Sequence, residues 1–314
     1  MKLIKRYKIA KDVDLIFAKR DLGNFLKREK KELLDFFTFS TMELGTNLLK
    51  HATKGEIWLL EAEGRYYLAS LDKGPGIEDT KWCVQKGNTT YKNSLGLGLY
   101  SLSKFESYEL EIFSIPFKGT VCLLRPKESL KQVCFQMPYV HEKFIGDLIV
   151  RRDEYTLFAD ITGHGKRAWE SANVIKEIFL TFPKKFLFYN DFFKFMDEEI
   201  KKYKLRSAVV CLVKNDKTSV DVMGVGNIGV FYRQNDQIYH YFLKPGILGE
   251  VFTHINIFSF DKKDSKIVLI TDGIDDSIVE EVLETDVSNE ILALSCIFFS
   301  QKKDDKSIFI IGER

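Results

Sequence analysis

Leu157-Phe158-Ala159-Asp160-Ile161-Thr162-Gly163-His164-Gly165 is an apolar run that ends on a carboxylate and enters a turn carrying two glycines. It reads as a strand that delivers Asp160 to its end. The same arrangement recurs at Ile267-Val268-Leu269-Ile270-Thr271-Asp272-Gly273. Asp147 sits inside Phe144-Ile145-Gly146-Asp147-Leu148-Ile149-Val150, where a carboxylate is costly unless one face of the strand is wet. Asp304 precedes the last apolar run of the chain. Taken singly, each of these is a turn-capping Asp after a strand. Taken together, acidic residues far apart in sequence but each at a strand end can converge, and divalent cations then relieve their repulsion.

The first third of the chain carries a different pattern. Glu43 and Asn47 are four residues apart in a stretch of helical periodicity and share a face, with His51 one step further. A carboxylate can orient or deprotonate a nucleophile, and an Asn amide oxygen can hold Mg2+ without adding charge near phosphates. Asp72 closes a predicted strand and is followed by Gly74 and Gly76, which permit a tight turn. Gly96 and Gly98 then open a predicted helix whose amides suit phosphate oxygens, and Gly119-Thr120 starts a later strand.

A length of 314 residues suits two domains of ~100 to 200 residues better than one. With 45% hydrophobic and 29% charged residues, and 26 Phe against 6 Pro, long disorder is excluded. The net charge is only +2, and runs such as Arg28-Glu29-Lys30-Lys31-Glu32 mix both signs, so no basic stripe marks a nucleic-acid face. The five cysteines are odd in number and show no C-x-x-C spacing, which fits reduced thiols. No apolar run reaches the ~20 residues a bilayer requires, and the start lacks the apolar core of a signal peptide, so a cytoplasmic protein without membrane attachment is expected.

Periodicity predicts a strand at Leu3–Ala10, two helices between Asp12 and Ala52, a strand hairpin at Glu56–Ala62 and Tyr66–Leu71, a helix at Gly98–Phe105, and strands at Tyr108–Ile115 and Thr120–Leu124. This is a helix-on-sheet α+β domain over residues 1–125. Pro126–Lys131 reads as a linker. Over residues 132–314, strands are predicted at Val133–Met137, Phe144–Arg151 and Tyr155–Asp160, then helices at Lys166–Phe182 and Asp191–Lys202. Six more strands, two helices and a closing strand at Ser307–Ile311 complete a predicted sandwich of sheets covered by helices.

In order, Glu43…Asn47, Asp72-x-Gly74-x-Gly76, Gly96-x-Gly98 and Gly119-Thr120 resemble the motifs of the GHKL ATPase/kinase superfamily, most closely its RsbT-type anti-sigma-factor serine kinases. The resemblance implies a GHKL α/β sandwich that binds ATP and Mg2+. Asp72 would take the adenine amino group, Asn47 the Mg2+, and Glu43 would act as catalytic base. Gly74, Gly76, Gly96, Gly98 and Thr120 would line the nucleotide.

In the second part, Gly146-Asp147, Ala159-Asp160-Ile-Thr-Gly163-His164-Gly165, Gly226-Asn227-Ile-Gly229, Gly246-Ile-Leu-Gly249, Thr271-Asp272-Gly273 and Asp304-Asp305-Lys-Ser307 resemble the SpoIIE/RsbX branch of the PPM serine/threonine phosphatases. That implies an αββα sandwich holding two Mn2+ or Mg2+ ions. Asp160 would bridge both metals as the central catalytic ligand, Asp147 would hold one, and Asp272 and Asp304 the other. Ile161 stands where that family usually has Gly, and its carbonyl would be a further ligand. His164 reads as a turn residue beside the metals, and sequence alone does not separate Asp304 from Asp305.

Both resemblances together imply a bifunctional partner-switching regulator that phosphorylates and dephosphorylates serine or threonine on a STAS-domain antagonist protein. The alternative keeps only the phosphatase as an enzyme, with the first domain a nucleotide-sensing or sigma-factor-binding or other regulator-binding module. Whether the chain forms a homodimer is left open.

Overall fold

The computed structural model describes residues 1–85, 98–140, 142–182 and 189–312. Contacts divide the chain into two units, Met1–Ser129 and Leu130–Arg314. In the first, strand β1 (Lys2–Ile9) turns Tyr7 and Ile9 inward and leads into helices α1 (Asp12–Phe25) and α2 (Lys31–Asn47). The apolar side chains of α1 recur at helical spacing, so Leu15, Ala18 and Leu22 form one buried face. Phe36, Phe37 and Leu44 do the same for α2.

Strands β2 (Gly55–Ala62) and β3 (Arg65–Asp72) form a hairpin, followed by the short helices α3 (Thr80–Cys83) and α4 (Gly98–Leu102) and by β4 (Tyr108–Ile115) and β5 (Gly119–Pro126). The strands make one antiparallel sheet in the order β1-β2-β3-β5-β4. The two long helices pack on one of its faces, against Ile57, Leu59, Leu68 and Leu124.

Two local departures from periodicity appear here. Beyond Asn47 the backbone leaves α-helical geometry for a π turn, Leu48–Ala52, which ends at Thr53 in the left-handed region (φ 63°). The helix predicted to reach Phe105 stops at Leu102. Phe105 instead stacks on Phe36 with ring centroids 3.7 Å apart, a tertiary contact that outweighs continuation of the helix.

The second unit opens with β6 (Gln132–Met137), β7 (Leu148–Arg152) and β8 (Tyr155–Ile161), then helices α5 (Lys166–Thr181) and α6 (Tyr189–Lys202). Strands β9 (Ala208–Asn215), β10 (Ser219–Val225), β11 (Gly229–Gln234), β12 (Gln237–Phe242), β13 (Asn256–Asp261) and β14 (Ser265–Ile270) follow, then α7 (Asp276–Leu283), α8 (Asn289–Phe299) and β15 (Lys306–Gly312). They build two five-stranded antiparallel sheets, β13-β10-β9-β8-β7 and β12-β11-β14-β15-β6. Between the sheets lie Phe158, Val209, Cys211, Val213, Val222, Val230, Leu269 and Phe309.

Alternation along β8 sends Leu157, Ala159 and Ile161 the other way, into a second core with Ala172, Ile175 and Phe179 of α5 and Phe192 and Met196 of α6. Burial on both faces is why β8 reads as a nearly continuous apolar run. On the far side, α8 packs against β15 and β6, with α7 beside it. The layers are therefore helices, sheet, sheet, helices.

The strand predicted from Phe144 begins only at Leu148. The backbone before it is diverted by a buried carboxylate. Tyr139 N and Gly146 N each donate to Asp305 at 2.6 Å, so these amides are satisfied outside a strand ladder. The five cysteines are free, and among the described residues no helix is long and apolar enough to cross a membrane.

Phe158 is fully buried between the two sheets, so Phe158→Ala is expected to destabilise this unit by about 3 to 5 kcal/mol. Urea titration with amide exchange at β8 and β9 checks it; a loss under about 1 kcal/mol would mean that the inter-sheet core is not close-packed there.

Candidate functional site

Antiparallel pairing puts the start of one strand beside the end of the next, and this brings the carboxylates together. In the first sheet of the second unit, Leu148 of β7 opposes Ala159 of β8, so Asp147 and Asp160 are neighbours at one end. In the other sheet, Ile270 of β14 opposes Ile308 of β15, which sets Asp272 and Asp304 at the ends of adjacent strands. The sheets are tied at this point by a buried hydrogen bond from Thr271 Oγ1 to Asp147 Oδ2, 2.9 Å. Thr271 Oγ1 in turn accepts from Ser307 N at 3.0 Å.

The electrostatics follow from that convergence. Burial, reinforced by repulsion from Asp147, Asp272 and Asp304, raises the Asp160 pKa to about 9. Burial raises Asp147 to about 7, with Asp305 and Asp304 adding to the rise, although hydrogen bonds from Ser307 and Thr271 oppose it. Each carboxylate is turned toward a donor of its own: Asp272 accepts from Asn227 Nδ2 at 3.1 Å and Asp304 from the Asp305 N–H at 2.8 Å. Among the described residues no three His, Cys, Asp or Glu side chains close on a single point. The charges of Asp272 and Asp304 nevertheless act on Asp160, which in turn acts with Asp147, and among the described residues no Lys, Arg or His forms an ion pair with these four.

A set of hard oxygen donors that runs from buried Asp147 through half-buried Asp160 and Asp304 to exposed Asp272, without a cationic partner, fits Mg2+ or Mn2+. The backbone around it is shaped by glycine at positions where a side chain would collide. A Cβ on Gly273 would stand 1.9 Å from the Asp305 carbonyl, and one on Gly146 would stand 2.7 Å from Ala168 Cβ.

The Asp304–Asp305 pair divides by role. Asp305 is 2% exposed and holds the Tyr139 and Gly146 amides, whereas Asp304 is the member that acts on Asp160. Ile161 lies in the helix-facing core with β-strand pairing to Ala208, so a β-branched residue is accommodated there without a left-handed backbone. His164 is exposed at the rim, 3.5 Å from Glu142 Oε1 and with its ring centroid 4.8 Å from that of Tyr139. Thr271, Asn227 and Asp305 orient the aspartates, yet nothing in their spacing announces those tasks. The one available signal is that each adjoins an Asp or a glycine turn.

In the first unit, Asp72 ends β3 opposite Thr120 of β5, and its Oδ1 accepts from Gly74 N at 2.8 Å. Burial raises the Asp72 pKa against that bond. Ser114 Oγ donates to the Gly119 carbonyl at 3.0 Å, lies 3.1 Å from Thr120 Oγ1 and accepts from Ile77 N at 2.7 Å, which fixes the turn after Asp72. Gly76 adopts φ 78°, and a Cβ there would meet the Ile115 carbonyl at 2.6 Å. Gly119 adopts φ 131°, and a Cβ there would meet the Asp72 carbonyl at 1.9 Å. Glu43 and Asn47 occupy the last turns of α2, and a Cβ on Gly98 would stand 2.2 Å from Glu43 Oε2, so the start of α4 abuts that carboxylate. Gly96 lies outside the described residues.

No family model matches this chain, and no curated protein matches it. Solved structures do. RsbX in complex with magnesium is 18% identical, with a TM-score of 0.48 over 57% of this chain and 92% of that one. A structure from work on the bacterial stressosome, described as a modular system adapted to control secondary messenger signaling, is 20% identical, with a TM-score of 0.46 over 58% of this chain and 99% of that one. The serine/threonine phosphatase Stp1 from Staphylococcus aureus is 12% identical, with a TM-score of 0.49 over 60% of this chain and 96% of that one. Residue roles here rest on this chain's own geometry.

Carboxylates with raised folded-state pKa values stabilise the fold most below their unfolded value of about 4, and that stability is lost as pH rises through the folded values. In chelator, the melting temperature of the second unit should therefore fall between about pH 5 and about pH 9 as Asp147 and Asp160 ionise. Mn2+ should raise it most at the alkaline end, and Asp160→Asn should flatten the dependence. Equal Mn2+ stabilisation at both pH values, seen by calorimetry, would contradict a cation site on these residues.

Proposed function

We propose that the second unit is a divalent-metal-dependent phosphoserine/phosphothreonine protein phosphatase of the PPM type, in the SpoIIE/RsbX branch. The observation that carries this reading is the convergence of Asp147, Asp160, Asp272 and Asp304 from the strand ends of two facing sheets, with their charges unbalanced. Asp147, Asp160, the Ile161 carbonyl, Asp272 and Asp304 would hold two Mg2+ or Mn2+ ions, with Asp160 as the central ligand. Metals held so supply an acidified water and neutralise the phosphate of the substrate. The chain's own contribution is orientation: Thr271 holds Asp147 and Asn227 holds Asp272.

The first unit, on this proposal, is a GHKL-type ATP-binding serine kinase domain. Asp72 takes the adenine amino group, and Asn47 holds Mg2+. Gly74, Gly76, Gly96, Gly98 and Thr120 border the nucleotide, and Glu43 accepts the proton of the substrate hydroxyl. The burial of Asp72 beside Gly74 and Thr120, and the Glu43 carboxylate against Gly98, support that placement. The substrate of both reactions is a STAS-domain antagonist protein in the cytoplasm, which makes the chain a partner-switching regulator.

The test follows phosphorylation of a STAS-domain protein by mass spectrometry, first with Mg-ATP and then with Mn2+ after ATP removal. Phosphate should be gained by wild type and by Asp160→Asn but not by Glu43→Ala, and lost only where Asp160 is intact. Loss without any gain would reduce the first unit to a nucleotide-sensing or regulator-binding module; no loss with Mn2+ would refute the phosphatase.

Orientation of Asp272 by Asn227 gives a separate expectation. Asn227→Ala should lower phosphatase activity or apparent Mn2+ affinity by about 10- to 100-fold while leaving phosphate gain intact. Mn2+ titration of p-nitrophenyl phosphate hydrolysis reads it.

A further inference from the structure

We propose that β12 is a self-pairing edge, through which two copies of this chain join their β12-β11-β14-β15-β6 sheets into one continuous antiparallel sheet. The proposal does not depend on the proposed function.

The first ground is how differently the sheet edges are protected. Unpaired edge strands ordinarily carry charges, proline or bulges that block pairing. The edge strand β1 has Lys2, Lys5, Arg6 and Lys8 with a bulge between Leu3 and Lys5. The edge strand β7 is five residues long and ends in Arg151 and Arg152, β4 carries Glu109 and Glu111, and β13 ends in Asp261. Uncharged β6 is followed directly by Pro138 and buries its one ring, Phe135. In contrast, β12 reads Gln237-Ile238-Tyr239-His240-Tyr241-Phe242, with no charge, no proline and a regular six-residue register against β11. Among the described residues its other side has no strand beside it.

The second ground is that its side chains are apolar, exposed and already fixed. Phe242 is 73% exposed and Tyr239 43%. On one face His240 is stacked on Phe231 at 4.1 Å and contacts Phe242 at 4.3 Å. On the other, Tyr241 packs on Phe258 and Phe260, each at 5.1 Å. Rings held this way lose little further entropy on pairing.

The third ground is self-complementarity, which commits the occupant to a second copy. A two-fold antiparallel pair keeps its hydrogen bonds in register only when the axis passes through a residue. With the axis at His240, Ile238 meets Phe242 of the second copy and Tyr239 meets its Tyr241, and both pairs occur twice. The strand runs from Gln237 to Phe242; Asp236 precedes it in a turn where Asn235 and Asp236 have φ 49° and 64°, and Lys244 lies two residues past its end, where it bridges Val225 of the facing sheet. Continued past the strand ends, the same register sets the exposed Asp236 of each copy on the side of the exposed Lys244 of the other. Moving the axis by one residue sets Asp236 against Phe242, or Lys244 against Ile238. Asp236 accepts from Arg233 at 2.9 Å and Lys244 Nζ lies 2.7 Å from His254 Nε2, and both ends remain exposed.

The strip is one strand wide, so the dimer is a weak one, with a dissociation constant on the order of micromolar. Sedimentation velocity of the full chain over a concentration series tests it. Wild type should show a monomer–dimer equilibrium. Phe242→Lys should raise the dissociation constant at least about tenfold with an unchanged melting curve, because that side chain is exposed. Asp236→Lys should weaken the dimer, and adding Lys244→Asp should restore it, a rescue that a contact elsewhere would not produce. A chain that stays monomeric at every concentration overturns the proposal, as does a dimer indifferent to Phe242→Lys or a charge reversal without rescue.

Discussion

The second unit depends on holding like charges together. Four aspartates at the ends of strands β7, β8, β14 and β15 repel one another, and only the packing of two sheets keeps them in one place. The inter-sheet core around Phe158, Val222, Leu269 and Phe309 supplies that force without direction. Direction comes from the hydroxyl of Thr271, which joins Asp147 to the opposite sheet. Raised carboxylate pKa values are the measure of the resulting tension, and a hard divalent cation is the chemistry that relieves it.

The same constraint explains the buried Asp305. A second carboxylate next to Asp304 adds repulsion on Asp147, and hydrogen bonds to backbone amides hold it in place. It takes the amides of Tyr139 and Gly146, which bends the chain ahead of Asp147 and delays the start of the strand to Leu148. Gly273 is needed because the Asp305 carbonyl approaches too closely for any side chain. Structure around the site thus consists of backbone positioned by one acidic residue so that four others can converge.

In the first unit the sheet end around Asp72 is built by comparable means, with glycine where strands crowd and a serine hydroxyl serving three partners. Under the proposed reading, a kinase and an opposing phosphatase in one polypeptide are fixed at a one-to-one ratio. Net phosphorylation would then be set by nucleotide, by metal or by a bound partner, since expression level could not set it.

By itself the sequence determined the elements and the aspartates at their ends. Apolar runs such as Leu157–Ala159 and Ile267–Ile270, each closing on an Asp and a glycine turn, are local patterns, and backbone preference with side-chain period suffices to read them. The positions of Asp72, Gly74 and Gly76 after a strand were legible for the same reason. Tertiary structure decided what no local pattern encodes. It set the start of β7 at Leu148, ended α4 where Phe105 stacks on Phe36, placed the π turn after Asn47 and parted Asp304 from Asp305. It also recruited Thr271 and Asn227 as orienting groups and left β12 as an unguarded edge. Each of these follows from a contact between residues distant in the chain, and such contacts are fixed only when the sheets pack.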